Sequence, residues 1–147
     1  MPESELRSST KNVTAVADEP RGHETGRRRW AWWWAPVLAY MAAIFFMSSL
    51  ENPPVPSDVP DVNLHAAAYF GLMLLAVRAI AQGSWARVTI GALAAAWTLT
   101  VMYGASDEWH QMHVSGRHAE WRDLRADAIG ALAAGVAIKM WMRRRRR

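Results

Sequence analysis

The sequence predicts an all-α membrane protein, a four-transmembrane-helix bundle with both termini in the cytoplasm. Three observations predict it. The 147-residue chain is half apolar, yet its mean hydropathy is only −0.08. The average is low because polar residues gather at the ends and in two loops, leaving four long apolar stretches between them. Finally, the +4 net charge sits largely in terminal clusters, Arg27–Arg29 and Arg143–Arg147, where basic residues hold the cytoplasmic ends of helices at anionic headgroups.

Residues 1–29 carry few apolar side chains and no helical period, and they read as a disordered basic cytoplasmic tail. The apolar core of a cleaved leader would start much nearer Met1. The membrane domain is expected over residues 30–142. Its first span runs from about Trp30 to Leu50. Trp30, Trp32, Trp33 and Trp34 follow the arginine triplet, where amphipathic rings favour the headgroup level. Ser48-Ser49 ends the span, and four prolines between Glu51 and Pro60 block any continuation.

The second span covers about Asp61 to Gln82. Gly83-Ser84 then makes a short turn, so spans two and three are expected to form an antiparallel hairpin. The third span covers about Trp85 to Ser106, with a helix that can extend through Gln111. A charged loop, Met112–Arg122, leads into a fourth span over about Asp123 to Met142. Residues 143–147 form a basic cytoplasmic end. Each stretch holds about 19–22 residues, enough at 1.5 Å per residue to cross a hydrocarbon core of about 30 Å.

Lys and Arg set the orientation. The tail, the turn between Arg78 and Arg87, and the Lys139–Arg147 end are basic, whereas the first loop has acids alone. That puts both termini inside and the first loop outside. The loop holding Arg117 and Arg122 then lies outside against the charge rule, the one strained point of this topology.

Ionisable residues near the membrane carry the functional signal, and all lie toward the outer face. Asp61, His65 and Tyr69 recur every four residues and form one stripe on span two. Thr100, Gly104, Glu108 and Gln111 share a face of span three. Asp123, Asp127, Gly130 and Ala134 share a face of span four. An intramembrane carboxylate such as Asp127 is costly unless it faces the bundle interior and finds a partner. Three stripes descending from one face therefore predict a single outward-opening polar pocket, with Arg117 over it. Asp61, His65, Glu108, Gln111, Arg117, Asp123 and Asp127 are the candidate ligand-binding residues. Glu108, His65 and Asp127 are also the candidates for catalysis. Buried polar groups also act as plain helix–helix glue, the reading favoured for Thr100 and Tyr69, and Gly104, Gly130, Ala134 and Gly135 read as close-packing positions.

Other chemistry is excluded or unsupported. Without cysteine there is no disulfide or thiolate chemistry. The run from Glu108 to His113 is not a His-Glu-x-x-His motif, and His110 and His113 point away from Glu108, so no metal or cofactor is expected. No phosphate-binding glycine loop is present, and nucleic acid is not expected as a partner.

These residues resemble the VanZ-like family of small bacterial membrane proteins, named after a protein associated with teicoplanin resistance. The resemblance rests on Asp61-x-x-x-His65-x-x-x-Tyr69 opening a span, then Asp107-Glu108-x-x-Gln111, Gly116-Arg117, and Asp123-x-x-x-Asp127-x-x-Gly130 opening the last span. Ser48-Ser49 before a proline-rich loop fits the same pattern, which covers roughly residues 30–142. Val114-Ser115 stands where the family often has proline before Gly-Arg, and Val62 where it often has a basic residue. Asp127 stands where many members have Asn. The resemblance implies a multi-pass protein of the bacterial plasma membrane, linked to the cell envelope and to antibiotic resistance, but brings no established reaction. The expected function is binding of membrane lipid, a lipid-linked envelope precursor or a glycopeptide in the outward pocket. Two alternatives are an intramembrane enzyme acting on a lipid-linked precursor and a structural accessory subunit. The sequence leaves the ligand, catalysis and oligomeric state open.

Overall fold

The structure, a computed structural model, describes residues 21–55 and 58–147, with side chains described from Arg29 onward. It is helical throughout: α1 (Arg21–Ser48), α2 (Asp61–Ile80), α3 (Ile90–Gln111) and α4 (Trp121–Arg144), with one 3-10 turn at Trp85–Arg87 and no strand among the described residues. The chain from Trp32 to Arg147 forms one compact unit, and the packing below concerns it.

Two boundaries differ from the sequence expectation. The first helix starts at Arg21 rather than Trp30, so the segment 21–29 is helical; the rest of the expected tail, residues 1–20, lies outside the described residues. The α2–α3 connection is also longer than a two-residue turn. Gln82 and Gly83 both take left-handed backbone (φ 48° and 69°), and Trp85–Arg87 adds its 3-10 turn before α3 begins at Ile90. The reason is a cap: the Thr89 side chain accepts the Ala92 N–H at 3.1 Å and fixes the helix start there. A side chain at Gly83 would meet the Trp33 ring, with its Cβ 2.5 Å from the nearest ring atom.

The closest helix pair is α2 with α4, and small residues make it possible. A Cβ at Gly130 would come within 2.1 Å of the Ala66 carbonyl oxygen, so the two backbones meet there with no side chain between them. Ala131 and Ala134 are fully buried beside Met73, Ala76, Val77 and Ala96. On α3, Trp97 donates its indole N–H to the Ala128 carbonyl at 3.1 Å, tying α3 to α4.

Large side chains instead carry the contact of α1. Val37 is buried against Tyr69, Leu72 and Ala79, flanked by Trp33, Tyr40 and Ile44. Tyr103 donates its hydroxyl to the Met41 carbonyl at 2.6 Å. Pro36 lies within α1 and supplies no N–H, leaving the Trp32 carbonyl without its usual helical donor.

Two helical segments, Arg29–Ser48 of α1 and Asp61–Ile80 of α2, are long and apolar enough to cross a membrane. Among the described helices, α3 and α4 fall outside that class. α3 ends in Asp107, Glu108 and His110, and α4 carries Arg122, Asp123, Arg125 and Asp127 in its first turns.

Candidate functional site

One end of the bundle gathers the end of α1, the start of α2, the end of α3 and the start of α4. That arrangement follows from an up-and-down chain course, and it brings the polar stripes of the sequence together.

Asp127 is fully buried on α4, one turn after Asp123. Its Oδ1 lies 3.0 Å from His65 Nδ1 on α2, so the ring N–H donates to the carboxylate. The absence of a side chain at Gly104 on α3 permits this position: a Cβ there would lie 2.7 Å from Asp127 Oδ2 and 3.1 Å from Tyr69 Cε1. Glu108 on α3 approaches the same ring nitrogen, with Oε1 at 3.9 Å. Its Oε2 accepts the backbone N–H of Glu120 at 3.0 Å, the residue just before α4. A carboxylate there meets the positive end of the α4 dipole. Asp61, His65 and Asp123 form a second group with ligand atoms within 4.8 Å of one another.

A parallel network ties α1 to α3. Asp107 is buried and accepts the Ser48 hydroxyl at 2.6 Å and the Gln111 amide N–H at 3.3 Å. Gln111 in turn accepts from Arg117 Nε and Nη2 at 3.1 and 2.8 Å. Arg117 thus reaches the site, where it donates to an amide carbonyl rather than to a carboxylate. Gly116, with φ 75°, sets the turn that points it there.

Every candidate residue named from the sequence falls in this region, whereas Thr100, read as helix–helix glue, donates to the Ala96 carbonyl of its own helix. His110 and His113 keep away from Glu108: His110 pairs with Ser49 and stacks on Phe45, and His113 pairs with the Trp109 carbonyl. The expectation of no metal site was drawn from that local run alone. Across helices, His65, Glu108 and Asp127 place ligand atoms within 4.8 Å of one another, which the run could not reveal. Asp107 and Ser48 were not among the candidate residues. The i, i+4 spacing of Asp107 and Gln111 was the available signal for the first; the Ser48 partnership joins residues 59 apart and has no local signal.

A cavity of about 280 Å³ opens between α1 and the α2–α3 pair. Its polar end is formed by Asp61, His65, Asp107, Gln111 and Arg117, and its wall by Tyr40, Ile44, Met47, Leu64 and Ala68. Glu108 and Asp127 stand behind His65, outside that lining.

The chain matches no family model, no curated protein and no solved structure.

Proposed function

We propose that the chain is a four-span, VanZ-like protein of the bacterial plasma membrane that binds an amphipathic envelope molecule in the cavity between α1 and α2–α3. The cavity itself carries the reading, because charged and amide groups line one end and aliphatic and aromatic groups line the rest. That division suits a lipid or lipid-linked precursor, its anionic head beside Arg117 and its chain along Ile44, Met47 and Leu64.

Membrane placement of all four helices has its own support. α3 and α4 expose Met102, Ile129, Leu132, Val136 and Met140, an apolar surface suited to lipid. At the end opposite the polar cluster, Trp85 packs against Trp141 with ring centroids 4.3 Å apart and planes tilted by 45°, Arg145 lies over Trp141, and Arg78 lies over Trp33. Aromatic rings interleaved with arginine suit a cytoplasmic headgroup region. The site then opens toward the outer leaflet, where envelope precursors and glycopeptides meet.

The test is lipid analysis of the purified protein. A molecule that co-purifies with wild type and is lost in Arg117→Ala supports the reading; equal lipid content in both refutes it. In cells, Arg117→Ala and Glu108→Ala abolish any glycopeptide tolerance the protein confers, at unchanged membrane levels. Turnover of the bound molecule, lost in Glu108→Gln, would extend the same site to catalysis.

A further inference from the structure

We infer that His65, Glu108 and Asp127 form a binding site for one divalent transition-metal ion, buried between α2, α3 and α4. Three observations carry it, and none depends on what occupies the cavity.

The first is geometry. His65 Nδ1 lies 3.0 Å from Asp127 Oδ1 and 3.9 Å from Glu108 Oε1, and the three ligand atoms lie within 4.8 Å of one another. Ligands at 2.0–2.1 Å from a tetrahedral ion stand about 3.3 Å apart. The two distances straddle that value, so sub-ångström adjustments would seat an ion.

The second is an orphaned acceptor. Glu108 is only 7 % exposed, and its Oε1, the atom facing His65, has no hydrogen-bond partner. Buried polar atoms are nearly always paired, and one aimed at a gap between other ligands needs a donor or a cation. The other oxygen, Oε2, is fixed by the Glu120 N–H. That bond orients the carboxylate, as outer-shell partners do at metal sites. Asp127 Oδ2 is likewise buried and unpartnered.

The third is charge. Two buried carboxylates face one imidazole, and Asp123 and Asp61 also group with it, their ligand atoms within 4.8 Å of one another. Among the described residues, His65 is the only basic side chain within ion-pair distance of Glu108 or Asp127. Arg117 is occupied with Gln111. A doubly charged ion balances this cluster better than one imidazolium.

One nitrogen and two carboxylate oxygens match Zn²⁺, Mn²⁺ or Fe²⁺ rather than Ca²⁺ or Mg²⁺, which favour all-oxygen shells. To ligate through Nδ1, His65 gives up the proton it shares with Asp127 and keeps one on Nε2, so binding releases protons.

The experiment uses full-length protein in detergent, stripped with chelator and titrated with Zn²⁺ by calorimetry in two buffers of different ionisation enthalpy. One ion per chain is expected, with proton release and a rise in the thermal unfolding midpoint. Glu108→Gln keeps the side chain's shape and should lose both the ion and the rise. His65→Gln provides the same reading should Glu108→Gln fail to fold. A His113→Ala/His118→Ala double variant, distant in role, should bind as wild type does. Co²⁺ in wild type should give visible d–d bands far more intense than the weak ones of a surface-bound octahedral aquo ion. The inference is overturned if wild type binds no stoichiometric ion and shows no such bands. It is equally overturned if folded Glu108→Gln and His65→Gln bind as wild type does.

Discussion

His65 of α2 and Asp127 of α4 meet at 3.0 Å in a part of the bundle where Asp127 has no solvent exposure. The pair binds the two helices that pack most closely, and it does so one turn from the Gly130–Ala66 backbone contact. Removing one partner leaves the other buried without its mate. Asp127→Ala is therefore expected to destabilise the protein by about 3–5 kcal/mol, the usual cost of breaking a buried pair. His65→Ala should cost at least as much, because it leaves two buried carboxylates with no cation beside them, whereas an imidazole left without Asp127 sheds its proton readily. A double-mutant cycle by thermal unfolding in detergent should give a coupling of about 1–3 kcal/mol. Additive effects would show that the pair does not hold α2 to α4.

Gly130 and Gly135 make a matched comparison on one helix. Gly130→Ala drives a methyl group to within 2.1 Å of the Ala66 carbonyl oxygen, which belongs to backbone and cannot step aside. The two helices must separate, and a loss of about 2 kcal/mol or more is expected from the overpacking. Gly135→Ala meets only the flexible end of Met73, at 3.4 Å, and should be neutral or slightly stabilising through helix propensity. Unfolding midpoints of the two variants decide it.

Among the described residues, Ser48 is the one donor from α1 to the buried carboxylate of Asp107. Ser48→Ala leaves that oxygen without its 2.6 Å partner and should cost about 1–3 kcal/mol. Ser49→Ala removes a hydroxyl whose bonds lie nearer the surface, to the Phe45 carbonyl and to His110, and should cost about 1 kcal/mol or less. Equal losses in the two variants would contradict the role assigned to Asp107.

Much of this arrangement was legible in the chain. The i, i+4 spacing of Asp61, His65 and Tyr69 fixed one helical face, and the observed α2 carries His65 and Tyr69 with parallel rings 6.3 Å apart. Proline and acidic residues marked the first loop, and Gly130, Ala134 and Gly135 marked close packing on α4 without naming the helix it meets. What periodicity could not reach were relations between helices. Which carboxylate of α3 faces His65 depends on the rotation of α3 about its axis. That rotation is set by Gly104 against Asp127 and by Trp97 against Ala128. Glu108 consequently faces His65 while its neighbour Asp107 turns to Ser48. The start of α1 at Arg21 was also hidden, because Arg21–Arg29 has no apolar period to announce a helix.

Orientation gives the last prediction, and the absence of cysteine makes it direct to test. Single cysteines at Asp58, Ser84, His118 and Arg147 sample the three connections and the C-terminus. Four spans with both ends inside require Asp58→Cys and His118→Cys to react with a membrane-impermeant maleimide on intact spheroplasts. Ser84→Cys and Arg147→Cys should then react only after permeabilisation. His118→Cys is the discriminating site, because Arg117 and Arg122 would hold its loop in the cytoplasm if charge alone ruled. In the fold that loop is tied to the first loop's end of the bundle by more than charge. Arg117 donates twice to Gln111, and a Cβ at Gly116 would lie 2.9 Å from Glu51 Cγ in the first loop. The first and third connections therefore share one side of the bundle, and His118→Cys must label together with Asp58→Cys. Labelling of one without the other would break the four-span topology and the outward-facing cavity with it.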